Sequence, residues 1–204
     1  MVSERHPIHG LRHFLLQQHT ELVLEFSRYV HLGQGRTLSR ETFRVEAEDV
    51  DDAWLAEEIH SLSQSQELAL HSKVVHNDRI YHIPMVDFAH VESPEIMIVK
   101  TQAVRQSLPV DIKLYDSGQS MHGYFFCLID EKDWYTYLGR LLLCNPPFDS
   151  KEQLVDSRWV GHSLEHGFSA LRWSCNSAIY QSLPQLVDVD SSGIHPRKAV
   201  LKIS

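Results

Sequence analysis

The sequence predicts an α+β fold, on three observations. Apolar residues recur at three- and four-residue steps through the first 70 positions. After His71 the pattern changes to short runs of β-branched and aromatic residues separated by Pro, Gly, Asp and Ser, and one helical run interrupts them near residue 131. The expected organisation is a helical N-terminal region over 1–75, followed over 76–204 by an α+β core with a mixed sheet and flanking helices.

Taken in order, Leu11, Phe14, Leu15, Leu22, Phe26, Tyr29 and Val30 follow the helical period, with Gly33 and Gly35 as stop signals, which predicts an amphipathic helix from Leu11 to Val30. Val50, Trp54, Leu55, Ile59 and Leu62 share one face of a second helix capped by Asp49. Strands are predicted over 80–88, 96–101, 112–115, 123–129 and 168–173. A helix over 131–143 has acidic residues in its first turn and ends at Asn145, Pro146 and Pro147. The alternating end, Ala199 to Ile203, reads as a last strand.

At 204 residues, with 43% hydrophobic and 23% charged, the chain buries roughly 70% of its unfolded surface without disulfides or a structural metal. Cys127, Cys144 and Cys175 form no CxxC pair and no zinc spacing, so reduced thiols are expected. No apolar run approaches the roughly 18 residues of a membrane span, and no secretory leader is recognisable. The expectation is a cytoplasmic protein with no membrane partner. The net charge of -8 gives no general attraction for a polyanion, so nucleic acid has to meet a local basic surface. Ten of the 14 histidines precede residue 91 and are scattered, as solvated positions are.

Three places carry candidate chemistry. Asp87 ends the apolar run Ile83 to Val86, where a carboxylate can hold Mg²⁺ or Mn²⁺ or simply begin a turn. Ser120 and His122 open the run that begins at Gly123; the Gly118-containing segment before them is either a phosphate-facing loop or a hairpin turn. Asp156 follows the apolar pair Leu154 and Val155, and Arg172 lies on a later strand where a fixed cation can meet a phosphate. His162 and His166 are four apart, a chelating spacing on a helix, but Gly161 and Gly167 count against a helix, so no zinc site is expected. Trp134, Tyr135, Tyr137, Trp159 and Trp173 are either base-stacking surfaces or core.

In order and spacing these places resemble the catalytic core of the archaeo-eukaryotic primase (primase-polymerase) superfamily over roughly residues 80–180. Val86-Asp87-Phe88-Ala89 resembles its carboxylate motif, Ser120-Met121-His122 its Ser-x-His motif, and Val155-Asp156 with Leu171-Arg172-Trp173-Ser174 its third. The resemblance implies a primase-like fold and a role in DNA replication. It implies Asp87 and Asp156 as catalytic metal ligands for Mg²⁺ or Mn²⁺, and Ser120, His122 and Arg172 as contacts to the phosphates of a nucleoside triphosphate. The implied activity is two-metal nucleotidyl transfer on nucleotides and single-stranded nucleic acid.

One position departs from the pattern. Ala89 stands where the family has a second carboxylate, and neither His90 nor Glu92 keeps the i, i+2 spacing that puts two carboxylates on one strand face. Three functions stay open. They are a nucleotidyltransferase with a single Asp in its first motif, an inactive primase-like module that binds nucleotide or nucleic acid, and an α+β protein-interaction domain. The helical N-terminal region is the expected surface for a protein partner.

Overall fold

Leu24 and Phe26 alternate with Glu25, Ser27 and Tyr29, and this period of two, not the helical one, decides residues 23–31. The computed structural model describes residues 2–18, 21–31, 37–90, 101–102, 104–105, 111–147, 153–180, 182–187, 189–190 and 193–194. The chain runs α1 (Pro7–Leu15), β1 (Val23–His31), β2 (Thr37–Glu46), α2 (Asp52–Ser61), β3 (Gln66–His76), β4 (Arg79–His82), β5 (Met85–Asp87), β6 (Lys113–Asp116) and β7 (Met121–Tyr124). It continues as β8 (Ile129–Asp130), α3 (Glu131–Leu143), α4 (Ser157–His166), β9 (Ala170–Arg172), β10 (Gln185–Leu186) and a hairpin of β11 (Val189–Asp190) and β12 (Gly193–Ile194).

The fold is α+β, and every ladder among the described residues is antiparallel, where a mixed sheet was expected. One sheet has the order β2-β1-β3-β4-β8, with β9 also on β3; a second has the order β10-β6-β7-β5. β3 is the spine of the first sheet. It pairs with β1 along one edge and with β9 and then β4 along the other.

The predicted N-terminal helix is corrected. Only residues 7–15 of that run are helical, and 23–31 form a strand, because Leu22, Phe26 and Val30 satisfy either period. The nine-residue pairing with β2 and the ladder to β3 decide in favour of the strand. The apolar faces expected to dock a protein partner are also spent. Ile8, Leu11 and Phe14 of α1 and Leu55 of α2 are buried in one core cluster with Leu24, Phe26, Leu70 and Trp173. α2 begins later than expected, because Asp51 and not Asp49 caps it, its Oδ1 accepting from the Trp54 N–H at 2.8 Å.

The helix over 131–143 stands as expected, with Asp130 as its cap. The run over 80–88 divides into β4 and β5, and the run over 123–129 into β7 and β8. Of the strand expected over 96–101, Thr101 is helical and the rest lies outside the described residues, as does the strand expected over 199–203. A second core cluster packs Trp134, Tyr137, Leu138 and Leu141 of α3 and Val160 of α4 against Val86, Phe88, Leu114 and Phe125. This cluster holds β5 and α4 together and so positions the site.

Two buried histidines make the fold acid-sensitive. His6 caps α1 by accepting the Ile8 N–H at Nδ1 while its Nε2 lies 2.9 Å from the Trp173 carbonyl, which requires the neutral ring protonated on Nε2. His82 lies flat on Trp134 with 4.2 Å between centroids. Burial is the main cause that lowers each pKa from 6.5 to about 4. A lowered histidine pKa means the unfolded chain binds the proton first, so these contributions are complete above pH 6.5 and lost as pH falls toward 4. At about 1.4 kcal/mol per pK unit the loss is at most roughly 3 kcal/mol for each ring. Urea unfolding between pH 7 and 4 is expected to show this decline and His6→Asn, which keeps a cap, a shallower one; equal slopes would contradict the assignment to His6.

Candidate functional site

β5 is three residues long and is held on both edges by backbone. On one edge Asp87 is the Cα partner of His122 in β7, and the Phe88 N–H donates to the Met121 carbonyl at 3.0 Å. On the other edge Phe88 bridges antiparallel to Val155, the Asp156 N–H donates to the Asp87 carbonyl at 3.0 Å, and the Ala89 N–H donates to Leu154 at 3.1 Å. Cross-strand partners share a face, so Asp156, Asp87 and His122 form one row. Gly123 lets the strands close beside that row, since a Cβ there would meet Ile112 Cδ1 at 2.5 Å and Val86 Cγ1 at 2.6 Å.

The segment before His122 is a hairpin turn that also serves the row. The Ser117 N–H donates to the Ser120 carbonyl at 2.9 Å, the Gly118 N–H to Asp116 Oδ1 at 2.8 Å, and Gly118 takes a φ of 88°. This closure delivers the Ser120 hydroxyl to Asp87 Oδ1 at 3.0 Å, and His122 Nε2 lies 4.0 Å from the same oxygen. Asp156 doubles as the cap of α4, its Oδ1 accepting from the N–H groups of Arg158 at 2.8 Å and Trp159 at 3.3 Å.

All five site residues expected from sequence, Asp87, Ser120, His122, Asp156 and Arg172, line one cleft of 1340 Å³. Burial, and next the Asp156 carboxylate, raise the Asp87 pKa to about 7, against the opposing pull of the Ser120 hydrogen bond and of Arg172. Burial and the Arg172 charge lower His122 to about 3, so its ring is neutral, and its buried Nδ1 has no hydrogen-bond partner. Arg172 is 4% exposed. It donates to the carbonyls of Ser174, Ser117 and Ser182 and lies 4.0 Å over the Tyr180 ring, so it ties β9 to the β6–β7 turn while its charge reaches the row.

A second cation on the cleft has no sequence signature. Arg40 of β2 is exposed into it, 5.1 Å from the Tyr29 ring centre and 5.8 Å from that of Phe168. Its Nη1 donates to Ser27 Oγ at 2.9 Å and lies 3.4 Å from His71 Nε2. His71 Nδ1 is in turn 2.9 Å from Glu25 Oε1, which puts the ring proton on Nδ1 and the Nε2 lone pair toward Arg40. Only the packing of β1, β2 and β3 brings these four residues together. The aromatics divide: Trp134, Tyr137 and Trp173 are core, Tyr135 is exposed on α3, and Trp159 lines the cleft.

Two facing carboxylates, with a hydroxyl and an imidazole beside them, suit one hard divalent ion that takes its remaining oxygens from phosphate. Among the described residues no third carboxylate joins the row. Ala89 lines the cleft two residues beyond Asp87, the exposed His90 ring is 2.8 Å from the Gln119 carbonyl, and Glu92 lies outside the described residues. The segment with His162 and His166 is helical, contrary to expectation. A Cβ on Gly161 would meet only open space, and Gly167, at φ 73°, is the left-handed residue that ends the helix.

A family model described as AEP-like, archaeo-eukaryotic primase 1D-like, matches residues 46–185. No curated protein and no solved structure matches the chain. The matched span contains the Asp156–Asp87–His122 row, Ser120 and Arg172 and exceeds half of the chain, so the protein belongs to the archaeo-eukaryotic primase family.

Proposed function

We propose that the cleft binds a nucleoside triphosphate together with Mg²⁺ or Mn²⁺ and that the protein is a primase-type nucleotidyltransferase acting in DNA replication. The observation that carries this reading is the cross-strand row of Asp156, Asp87 and His122, with Ser120 bonded to Asp87, on the floor of one cleft. Asp87 and Asp156 hold the ion, which when bound offsets phosphate charge and acidifies an attacking 3′-hydroxyl. Ser120 Oγ and the neutral His122 Nε2 face the phosphates. Arg40 adds a cation oriented by Ser27, and Arg172 contributes its charge to the same phosphates while holding the turn that carries Ser120. The cleft exceeds the roughly 300–1000 Å³ of a typical small-molecule site, which leaves room for a single strand beside the nucleotide.

Ala89 favours a second reading, in which nucleotide or nucleic acid binds without transfer, because two carboxylates leave the ion dependent on its substrate for charge balance. Primer extension with a labelled nucleotide and Mn²⁺ separates the two. Extension abolished by Asp87→Asn supports transfer; binding without extension supports the second reading.

Calorimetry with a nucleoside triphosphate and Mn²⁺ is expected to show binding that Asp87→Asn and Asp156→Asn each weaken at least about tenfold. Asn keeps both the Ser120 acceptor and the helix cap, so the fold survives. No binding in the wild type, or full binding in both variants, would refute the site. Arg40→Gln and His122→Ala are each expected to weaken the triphosphate more than the nucleoside, and equal losses would place those side chains away from phosphate.

In metal-free buffer Asp87 has a pKa raised above its unfolded value, so its contribution to stability is complete below pH 3.8 and is lost as pH rises through 7. Asp87→Asn is therefore expected to raise the melting temperature more at pH 8 than at pH 5. With 24% of the side chain exposed, the gain is on the order of 1–2 kcal/mol. A gain that is equal at both pH values would contradict the burial argument.

A further inference from the structure

We infer that His162, Glu165 and His166, at the C-terminal end of α4, bind a transition-metal dication of the Zn²⁺ class on the rim of the cleft. This site is separate from the carboxylate row. At 1.5 Å per residue, positions 162–166 lie about 9–15 Å along the helix from Asp156, too far to share an ion with it.

Four observations carry the inference. First, positions i, i+3 and i+4 of a helix form one contiguous patch, and in this patch one ligand atom from each side chain lies within 4.8 Å of the other two. Second, the Glu165 carboxylate already sits beside the rings, with Oε2 3.4 Å from His162 Nδ1. The ligand atoms of a tetrahedral site with bonds near 2.0–2.1 Å are about 3.4 Å apart, so small side-chain rotations close the geometry. Third, His166 Nδ1 is 2.8 Å from the His162 carbonyl, which fixes the proton on Nδ1 and leaves the Nε2 lone pair free. That is the outer-shell arrangement of a metal-binding histidine. Fourth, the patch lies in the last turn of α4, at the negative end of its dipole, where a cation is favoured.

Two imidazoles and one carboxylate suit Zn²⁺ or Co²⁺ better than Mg²⁺, which prefers all-oxygen surroundings. All three residues line the cleft, so the fourth coordination position opens toward whatever occupies it, and a water or a phosphate oxygen completes the site. The side chains are half or more exposed, at 54%, 70% and 50%, so replacing them leaves the fold intact.

The test is calorimetric titration of the metal-free full chain with Zn²⁺, repeated with Co²⁺ while the visible absorption of the ion is followed. The wild type is expected to bind one ion with a Co²⁺ spectrum of nitrogen and oxygen ligation, undisturbed by excess Mg²⁺. His162→Ala and His166→Ala are each expected to lower affinity at least about tenfold with an unchanged metal-free melting temperature, and Asp87→Asn to leave Zn²⁺ binding unchanged. No binding by the wild type, wild-type affinity in the double variant His162→Ala/His166→Ala, or loss in Asp87→Asn would overturn the inference. Loss in Asp87→Asn alone would return the ion to the carboxylate row, so this test and that of the nucleotide site fail independently.

Discussion

The site depends on backbone hydrogen bonds on the two edges of a three-residue strand. With β7 on one side and residues 154–156 on the other, β5 places Asp87 between His122 and Asp156 whatever rotamers those side chains take. Because strand side chains alternate, a one-residue slip in either pairing would turn a member of the row away from the cleft. The close packing at Gly123 and the cluster of Val86, Phe88, Val155 and Val160 oppose such a slip. Structural and chemical demands therefore fall on the same few residues, and Asp156 both starts a helix and faces the cleft.

The electrostatics follow from that placement. Burial, and next the facing Asp156 carboxylate, disfavour the ionisation of Asp87, which Ser120 and Arg172 oppose only in part. His122 is kept neutral by burial beside the same arginine and faces the row as an uncharged imidazole. The net charge of -8 is compatible with an anionic ligand because arginines, Arg40 and Arg172 among them, line the cleft. The two arginines differ in kind: Arg172 is spent on three carbonyls, and Arg40 is oriented by Ser27 and by the Glu25–His71 pair.

The residues that converge on the candidate site were legible in the sequence because they sit beside local signals. Asp87 ends an apolar run, Ser120 and His122 follow a glycine-containing turn, and Asp156 follows the apolar pair Leu154 and Val155. The helix over 131–143 was legible from its acidic first turn and its Asn145-Pro146-Pro147 stop, and the one near 52–61 from its apolar period, although Asp51 and not Asp49 caps it. β1 was not, because Leu22, Phe26 and Val30 fit two periods and only the pairing with β2 and β3 chooses between them. That error hid the first-sheet wall of the cleft, since Tyr29 and Arg40 reach it only as strand residues. α4 was obscured by reading Gly161 and Gly167 as breakers, when one is tolerated in open space and the other caps the helix.

The central claim is that the Asp156–Asp87–His122 row is where a metal and a triphosphate meet. The most direct test is anomalous diffraction from crystals grown with Mn²⁺ and a non-hydrolysable nucleoside triphosphate. The account predicts a manganese peak within coordination distance, roughly 2.0–2.2 Å, of carboxylate oxygens of both Asp87 and Asp156, with phosphate density reaching Ser120 and His122. A nucleotide bound elsewhere, or manganese bound without either carboxylate, would contradict it.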